Sequence, residues 1–226
     1  DWPLLPRCLA DVTTVSTRTR VLGQDVDWPI LCAPTGASRV FHPDGELAVA
    51  RAAGRAGVIY GLSSGSTFSL EAVAAASDGP KLFQLYISRD REVSRGLVRR
   101  AKAAGYRALC LTVDASVLGK RERDLRSGFN MPLKLTSRSI ASFAAHPRWA
   151  LGQFAAGPFQ LANFLDTPGR KNGFAVSAKR FGDSLDTSIG WDDVREFAAL
   201  WDGPFAIKGI MSPDDARQAA DAGATA

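Results

Sequence analysis

Residues 81–114 read KLFQLYISRDREVSRGLVRRAKAAGYRALCLTVD. The opening apolar run, 81–87, is too short for a helix and reads as a strand. Asp90 can cap a helix whose apolar residues Val93, Leu97, Val98, Ala101 and Ala104 share one face, with Gly105 as its stop. Residues 107–113 are a second short run, rich in Leu and Val as a parallel strand covered on both faces should be. Strand, helix, strand in this order is the unit of a parallel sheet with right-handed crossovers.

The same rhythm extends in both directions. Upstream, 21–26 reads as a short hairpin and 29–33 as a strand. A helix is expected from about Asp44, its cap, to Ala56, with Gly57 after it. Residues 58–62 form the next strand, and Ser69 caps a short helix holding Leu70 and Val73. Downstream, Trp191 to Trp201 is helical by period and 205–208 is a strand. Ser212-Pro213-Asp214-Asp215 starts a helix with a cap, an N1 proline and an acidic third position; it runs to Ala222. Five strands and the beginning of a sixth at Ala224 fit an α/β fold, an incomplete (β/α)8 TIM barrel spanning residues 1–226 as a single domain. An open doubly wound sheet fits the alternation as well. A complete barrel needs eight strands and typically about 250 residues.

One segment breaks the rhythm. Residues 115–189 form a long insert after the fourth barrel strand, where a βα connection usually has about 2–6 residues. It carries Phe143, Trp149, Phe154, Phe159 and Phe164. Between 134 and 180 its charges are Lys134, Arg138, Arg148, Arg170, Lys171, Lys179 and Arg180 against Asp166. Aromatic residues with a basic excess suit peripheral contact with an anionic membrane. The alternative is a lid whose aromatics pack on the barrel and whose cations are solvated.

The totals bound the rest. With 46% hydrophobic and 23% charged residues, the chain is neither disordered nor fibrous. No apolar stretch approaches the roughly 20 residues of a membrane span, and Asp1-Trp2-Pro3-Leu4-Leu5 has no signal-peptide character. Cys8, Cys32 and Cys110 form no metal-ligand spacing and fit a reducing compartment. A cytoplasmic location is expected, with peripheral contact at the inner face of the membrane. The net charge of +5 suits an anionic ligand, an anionic surface or nucleic acid. No P-loop, dinucleotide fingerprint or zinc motif is present. His42 and His146 each precede a proline and read as structural.

Polar residues close the strands: Ala33-Pro34-Thr35-Gly36, Leu62-Ser63-Ser64, Gln84-Leu85-Tyr86, Leu111-Thr112-Val113-Asp114 and Ile207-Lys208-Gly209. In a barrel such ends converge on one pocket. Lys208 could form a Schiff base if desolvated, or remain charged and stabilise an anion; a solvated surface cation is the third reading. Gln84 and Tyr86 share a strand face. Arg121 could hold a carboxylate through two parallel hydrogen bonds, or belong to a helical salt-bridge cluster with its neighbours. On these residues alone, redox, Schiff-base and non-catalytic partial-barrel readings stay open.

Those pieces, with His42-Pro43-Asp44-Gly45-Glu46 and Gly119-Lys120-Arg121-Glu122-Arg123-Asp124, resemble the FMN-dependent 2-hydroxy acid dehydrogenase and oxidase family. His146-Pro147-Arg148-Trp149 and Gln160-Leu161-Ala162-Asn163-Phe164 are similar to its mandelate dehydrogenase branch. The resemblance implies oxidation of a 2-hydroxy acid to the 2-oxo acid with FMN as cofactor. It implies that the backbone at Pro34, Thr35 and Gly36 lies against the flavin, and that Ser63, Gln84 and Thr112 hydrogen-bond it. Lys208 would stabilise the anionic reduced ring, and Tyr86 and Arg121 would contact the substrate carboxylate. Gly36 stands where many relatives have alanine, which implies a bulky or aromatic acid. A homo-oligomer is expected of the full-length protein; neither a nucleic-acid partner nor a metal is expected. The family's N-terminal tyrosine, Ser-Asn-His-Gly-Gly-Arg motif and phosphate-binding strands are not within these 226 residues. Weak FMN binding and no turnover are therefore expected of this stretch alone.

Overall fold

The computed structural model describes residues 3, 5, 8–115, 119, 122–127, 136–164 and 173–226, with Leu125 and Arg138 described by backbone only. A hairpin comes first, β1 (Thr19–Val21) against β2 (Gln24–Val26), turned at Leu22 and Gly23, which both have positive φ. Five parallel strands follow: β3 (Leu31–Thr35), β4 (Ile59–Ser63), β5 (Lys81–Leu85), β6 (Ala108–Thr112) and β7 (Phe205–Lys208). Their order in the sheet is their order in the chain. A doubly wound sheet would reverse direction at a switch point. This one does not, so the barrel reading stands over the open-sheet one. Beyond β7, Thr225 N–H donates to Phe205 O at 2.7 Å and Ile207 N–H to Ala226 O at 3.0 Å, where a sixth strand was expected to begin.

Helices α1 (Gly45–Arg55), α2 (Leu70–Ala75) and α3 (Arg91–Ala103) connect β3 to β4, β4 to β5 and β5 to β6. The insert holds α4 (Glu122–Ser127), α5 (Ser137–Ala145), α6 (Pro147–Ala156) and α7 (Phe174–Ser184) among its described residues. Helix α8 (Trp191–Trp201) leads into β7 and α9 (Pro213–Asp221) follows it.

The two-residue period of the strands divides the core. Tyr60, Leu62, Phe83, Leu85, Leu109, Leu111 and Phe205 point to the helices and pack with Leu97, Val98, Phe197 and Trp201. Ile59, Leu82, Ala108 and Cys110 point the other way and meet Val26 of the hairpin, with Val21, Leu22 and Ala206 at the margin. The hairpin therefore plugs the bottom of the sheet. Its buried Gln24 accepts Lys81 N–H at 3.1 Å. Along that inner face, apolar residues give way to polar ones at the C-terminal strand ends.

The caps follow the sequence with one correction, and the buried face of α3 carries another. Ser69, Asp90 and Ser212 accept the N–H of Ala72, Glu92 and Asp215. Asp44 makes no side-chain capping bond. Its own N–H donates to His42 Nδ1, and Gly45 enters the helix at φ +42°. Val93 is exposed. The buried place on that turn belongs to Ser94, whose hydroxyl accepts Ser88 N–H at 2.8 Å.

Pro34 lies where the β3–β4 register shifts between Cys32 and Thr35, the kind of position a proline in a strand requires. Gly61 makes this possible: a Cβ there would meet Cys32 O and Pro34 Cδ at 3.0 Å. Gly209, at φ +111°, closes β7 where a Cβ would stand 2.6 Å from Asp114 Cβ.

Candidate active site

Register sets the central row. Ser63 lies beside Gln84 in the β4–β5 ladder, and Thr112 beside Lys208 in the β6–β7 ladder. Ser63, Gln84 and Thr112 are all buried. Ser63 Oγ donates to Gln84 Oε1 at 2.9 Å and accepts Gly65 N–H at 3.1 Å. Gln84 Nε2 donates to Thr112 Oγ1 at 2.9 Å. Three strand ends are thus tied by one amide, which fixes its orientation and leaves a row able both to donate and to accept. Beneath it, Cys110 pairs with Gln84 in register, and burial pushes its thiol up to about 11, so it stays a thiol.

Lys208 ends β7 with its side chain 46% exposed among the described residues, and its Nζ lies 3.1 Å from an Asp114 carboxylate oxygen. Tyr86 follows β5, half-buried, its ring edge-to-face with Phe181 of α7 at 5.6 Å. Pro34 is half-buried, and Thr35 and Gly36 are exposed at the end of β3. A methyl at Gly36 would stand 3.2 Å from Gly65 O, so the absent side chain makes room for the β4–α2 turn. Arg121 lies outside the described residues. Its neighbours Glu122 and Arg126 form an i,i+4 pair on α4.

Three further residues shape these strand ends. Glu46, from the first turn of α1, is 0% exposed and links the β3–α1 and β4–α2 turns. Asn163 reaches in from the insert. Its Oδ1 accepts Leu70 N–H at 3.0 Å, and its Nδ2 donates to Ser66 Oγ at 2.8 Å and Ser64 O at 3.3 Å. Phe181 packs on Tyr86 and on Phe164, the latter at 4.9 Å, and its ring lies 3.7 Å from where a Gly65 Cβ would be. Glu46 and Asn163 lie inside the stretches that carry the family resemblance. Nothing in the local sequence distinguishes Phe181 from a core residue.

The insert returns to the barrel through an anchored junction. Arg89 N–H donates to Ser184 O at 2.8 Å, and Asp186 N–H to Ile87 O at 3.1 Å. Arg91 pairs with Asp186 at 2.5 Å and Asp193 at 2.8 Å. Hydrogen bonds from Ser188, with Arg91 beside it, hold the Asp186 carboxyl down at about 2.

A sequential parallel sheet with a polar row across its C-terminal strand ends is the barrel-enzyme arrangement. The chain belongs to the FMN-dependent dehydrogenase family, which matches residues 1–226. It is similar to the (S)-mandelate dehydrogenase of Pseudomonas putida, 37% identical over 216 residues, covering 96% of this chain and 54% of that protein. It is also similar to a putative L-lactate dehydrogenase of Mycobacterium tuberculosis, 40% identical over 224 residues, covering 99% of this chain and 53% of that one. Among solved structures, that of the monotopic membrane protein (S)-mandelate dehydrogenase superposes with a TM-score of 0.91 at 36% identity. It covers 97% of this chain and 58% of the other. The chain spans about half the length of the curated relatives it matches.

Proposed function

We propose that the complete protein oxidises a bulky or aromatic 2-hydroxy acid, mandelate-like, to the 2-oxo acid, with FMN as the acceptor of two electrons. The observation that carries this reading is the buried Ser63–Gln84–Thr112 row beside Lys208 and Tyr86. A row that donates and accepts suits the alternating carbonyl and N–H edge of an isoalloxazine. FMN, when bound, supplies the two-electron chemistry. Ser63, Gln84 and Thr112 would hold its polar edge, with the backbone of Pro34, Thr35 and Gly36 along its face. Lys208 brings a cation to the place where negative charge gathers. Tyr86 and Arg121 would orient the substrate carboxylate.

The Schiff-base reading of Lys208 is not favoured. Family membership points to flavin chemistry instead. The test is anaerobic mixing of the full-length protein with (S)-mandelate, lactate and glycolate. Loss of the visible flavin absorbance, fastest with mandelate, is expected. A protein that neither carries nor takes up FMN would sink the proposal.

The insert supports a second element of the reading, peripheral membrane contact through residues 134–180. Its aromatics divide into two sets. Phe159 packs on Phe174 and Phe164 on Phe181, whereas Phe154 is 88% exposed, and Leu151 on the same helix and Ile140 on α5 are exposed too. Helix α6 is fastened to the β3–α1 turn through Trp149 Nε1–H to Phe41 O at 2.7 Å and Gln153 Nε2 to Arg39 O at 2.8 Å. Its apolar side chains are thereby presented outward beside the cation Arg148. Among the described residues no helix is long and apolar enough to cross a membrane, so contact would lie in the interfacial plane. Leu151→Glu with Phe154→Glu should abolish co-sedimentation of the full-length protein with anionic vesicles. Unchanged co-sedimentation would refute this element alone.

A further inference from the structure

Glu46 is fully buried and has no ion pair among the described residues. Its Oε1 accepts Ser38 N–H at 3.1 Å and Thr67 N–H at 2.9 Å, and its Oε2 accepts the Thr67 hydroxyl at 2.5 Å. The Thr67 hydroxyl in turn accepts Arg39 N–H at 3.4 Å. One carboxylate therefore gathers two turns, β3–α1 and β4–α2, at the C-terminal face of the sheet. Burying a charge is costly unless hydrogen bonds replace its water. A site that needed only packing would be filled more cheaply by an apolar side chain.

What these bonds hold is a strained segment. Ala37 sits at φ +56°, a left-handed conformation uncommon for a residue with a Cβ. It directly follows Gly36. It is pinned on one side by its own N–H to Gly65 O at 2.9 Å and on the other by Ser38 N–H to Glu46.

We infer that Glu46 is a positioning residue for the cofactor: through Ser38 and Thr67 it sets the path of the Thr35-Gly36-Ala37 backbone on which the flavin ring rests. This rests on the function proposed above. Glu46 touches neither flavin nor substrate; it acts through the two turns that it joins.

The test compares Glu46→Ala, Glu46→Gln and Thr67→Val in the full-length protein. FMN affinity would be read by fluorescence titration, the bound flavin by visible circular dichroism and the fold by far-ultraviolet circular dichroism. Glu46→Ala strands three donors and should weaken FMN binding about tenfold or more and alter the visible spectrum, with the far-ultraviolet spectrum kept. Glu46→Gln keeps an oxygen for both N–H groups and should recover most of the loss. Wild-type affinity and visible spectrum in a folded Glu46→Ala protein overturn the inference, as does equal impairment by Gln and Ala. If Glu46→Ala does not fold, Thr67→Val decides: it removes one hydroxyl and keeps the N–H, and an unchanged flavin signature in it also overturns the inference. A wild-type protein that binds no FMN overturns the proposed function itself, and that result needs no variant.

Discussion

Lys208→Met in the complete protein is expected to slow substrate-dependent bleaching of the flavin by about 10²–10³-fold, the range found when one fixed electrostatic donor is removed from a charge-developing site. The fold should survive. The Lys208–Asp114 pair stands at the strand ends, outside the apolar core clusters. The thermal midpoint should therefore move little while the rate collapses. The midpoint potential of the bound flavin should fall too, since a cation beside the ring favours its reduced, negatively charged form. Anaerobic stopped-flow absorbance and a dye-coupled potential measurement check both. A wild-type bleaching rate in a folded Lys208→Met protein would remove Lys208 from the proposed chemistry.

Phe181→Ala should change which acid is preferred. Phe181 leans on Tyr86 edge-to-face, touches Phe164 and stands over the bare backbone of Gly65. Phe181 therefore forms an apolar wall against Tyr86, the group proposed to meet the carboxylate. Losing one wall of an apolar pocket costs about 1–3 kcal/mol of discrimination, and edge-to-face pairs add about 0.5–1.5 kcal/mol. The ratio of kcat/KM for mandelate over lactate should therefore drop by about 10–200-fold. Phe181→Leu, which keeps much of the volume, should fall between. If mandelate and lactate decline equally, Phe181 supports Tyr86 without choosing the substrate.

Much of this architecture was legible because it rests on local signals. Short apolar runs alternating with capped, one-sided helices were enough to mark a parallel sheet with crossovers, but not its strand order, which a barrel and a doubly wound sheet arrange differently. The strand-end polar residues were legible for the same reason: a polar side chain at the end of a doubly covered strand has to face a pocket or a partner. Asp44 departs from the expected cap, although an aspartate before an apolar period usually caps. Here the αL entry at Gly45 turns the chain differently, and the buried carboxylate of that turn is Glu46. Val93 obeyed the helical period, but the turn after β5 needed a hydroxyl, and Ser94 took the inward position. The roles of Asn163 and Phe181 were not legible. Their contacts span nearly a hundred residues of chain, and no local pattern encodes a pairing at that distance.

The anchoring of the insert at its far end bears on what its length costs the barrel. Closing a loop of some 75 residues in place of one of about five costs only about 2–3 kcal/mol of chain entropy, and each further doubling adds about 0.6 kcal/mol. The bonds of Ser184 and Asp186 to the segment after β5, with Arg91 on Asp186 and Asp193, offset that cost where the chain comes home. Length and surface in the stretch before α7 are therefore nearly neutral to the barrel. Changes of length or surface in that stretch leave Asn163 and the junction at Leu185 to keep the strand ends in register.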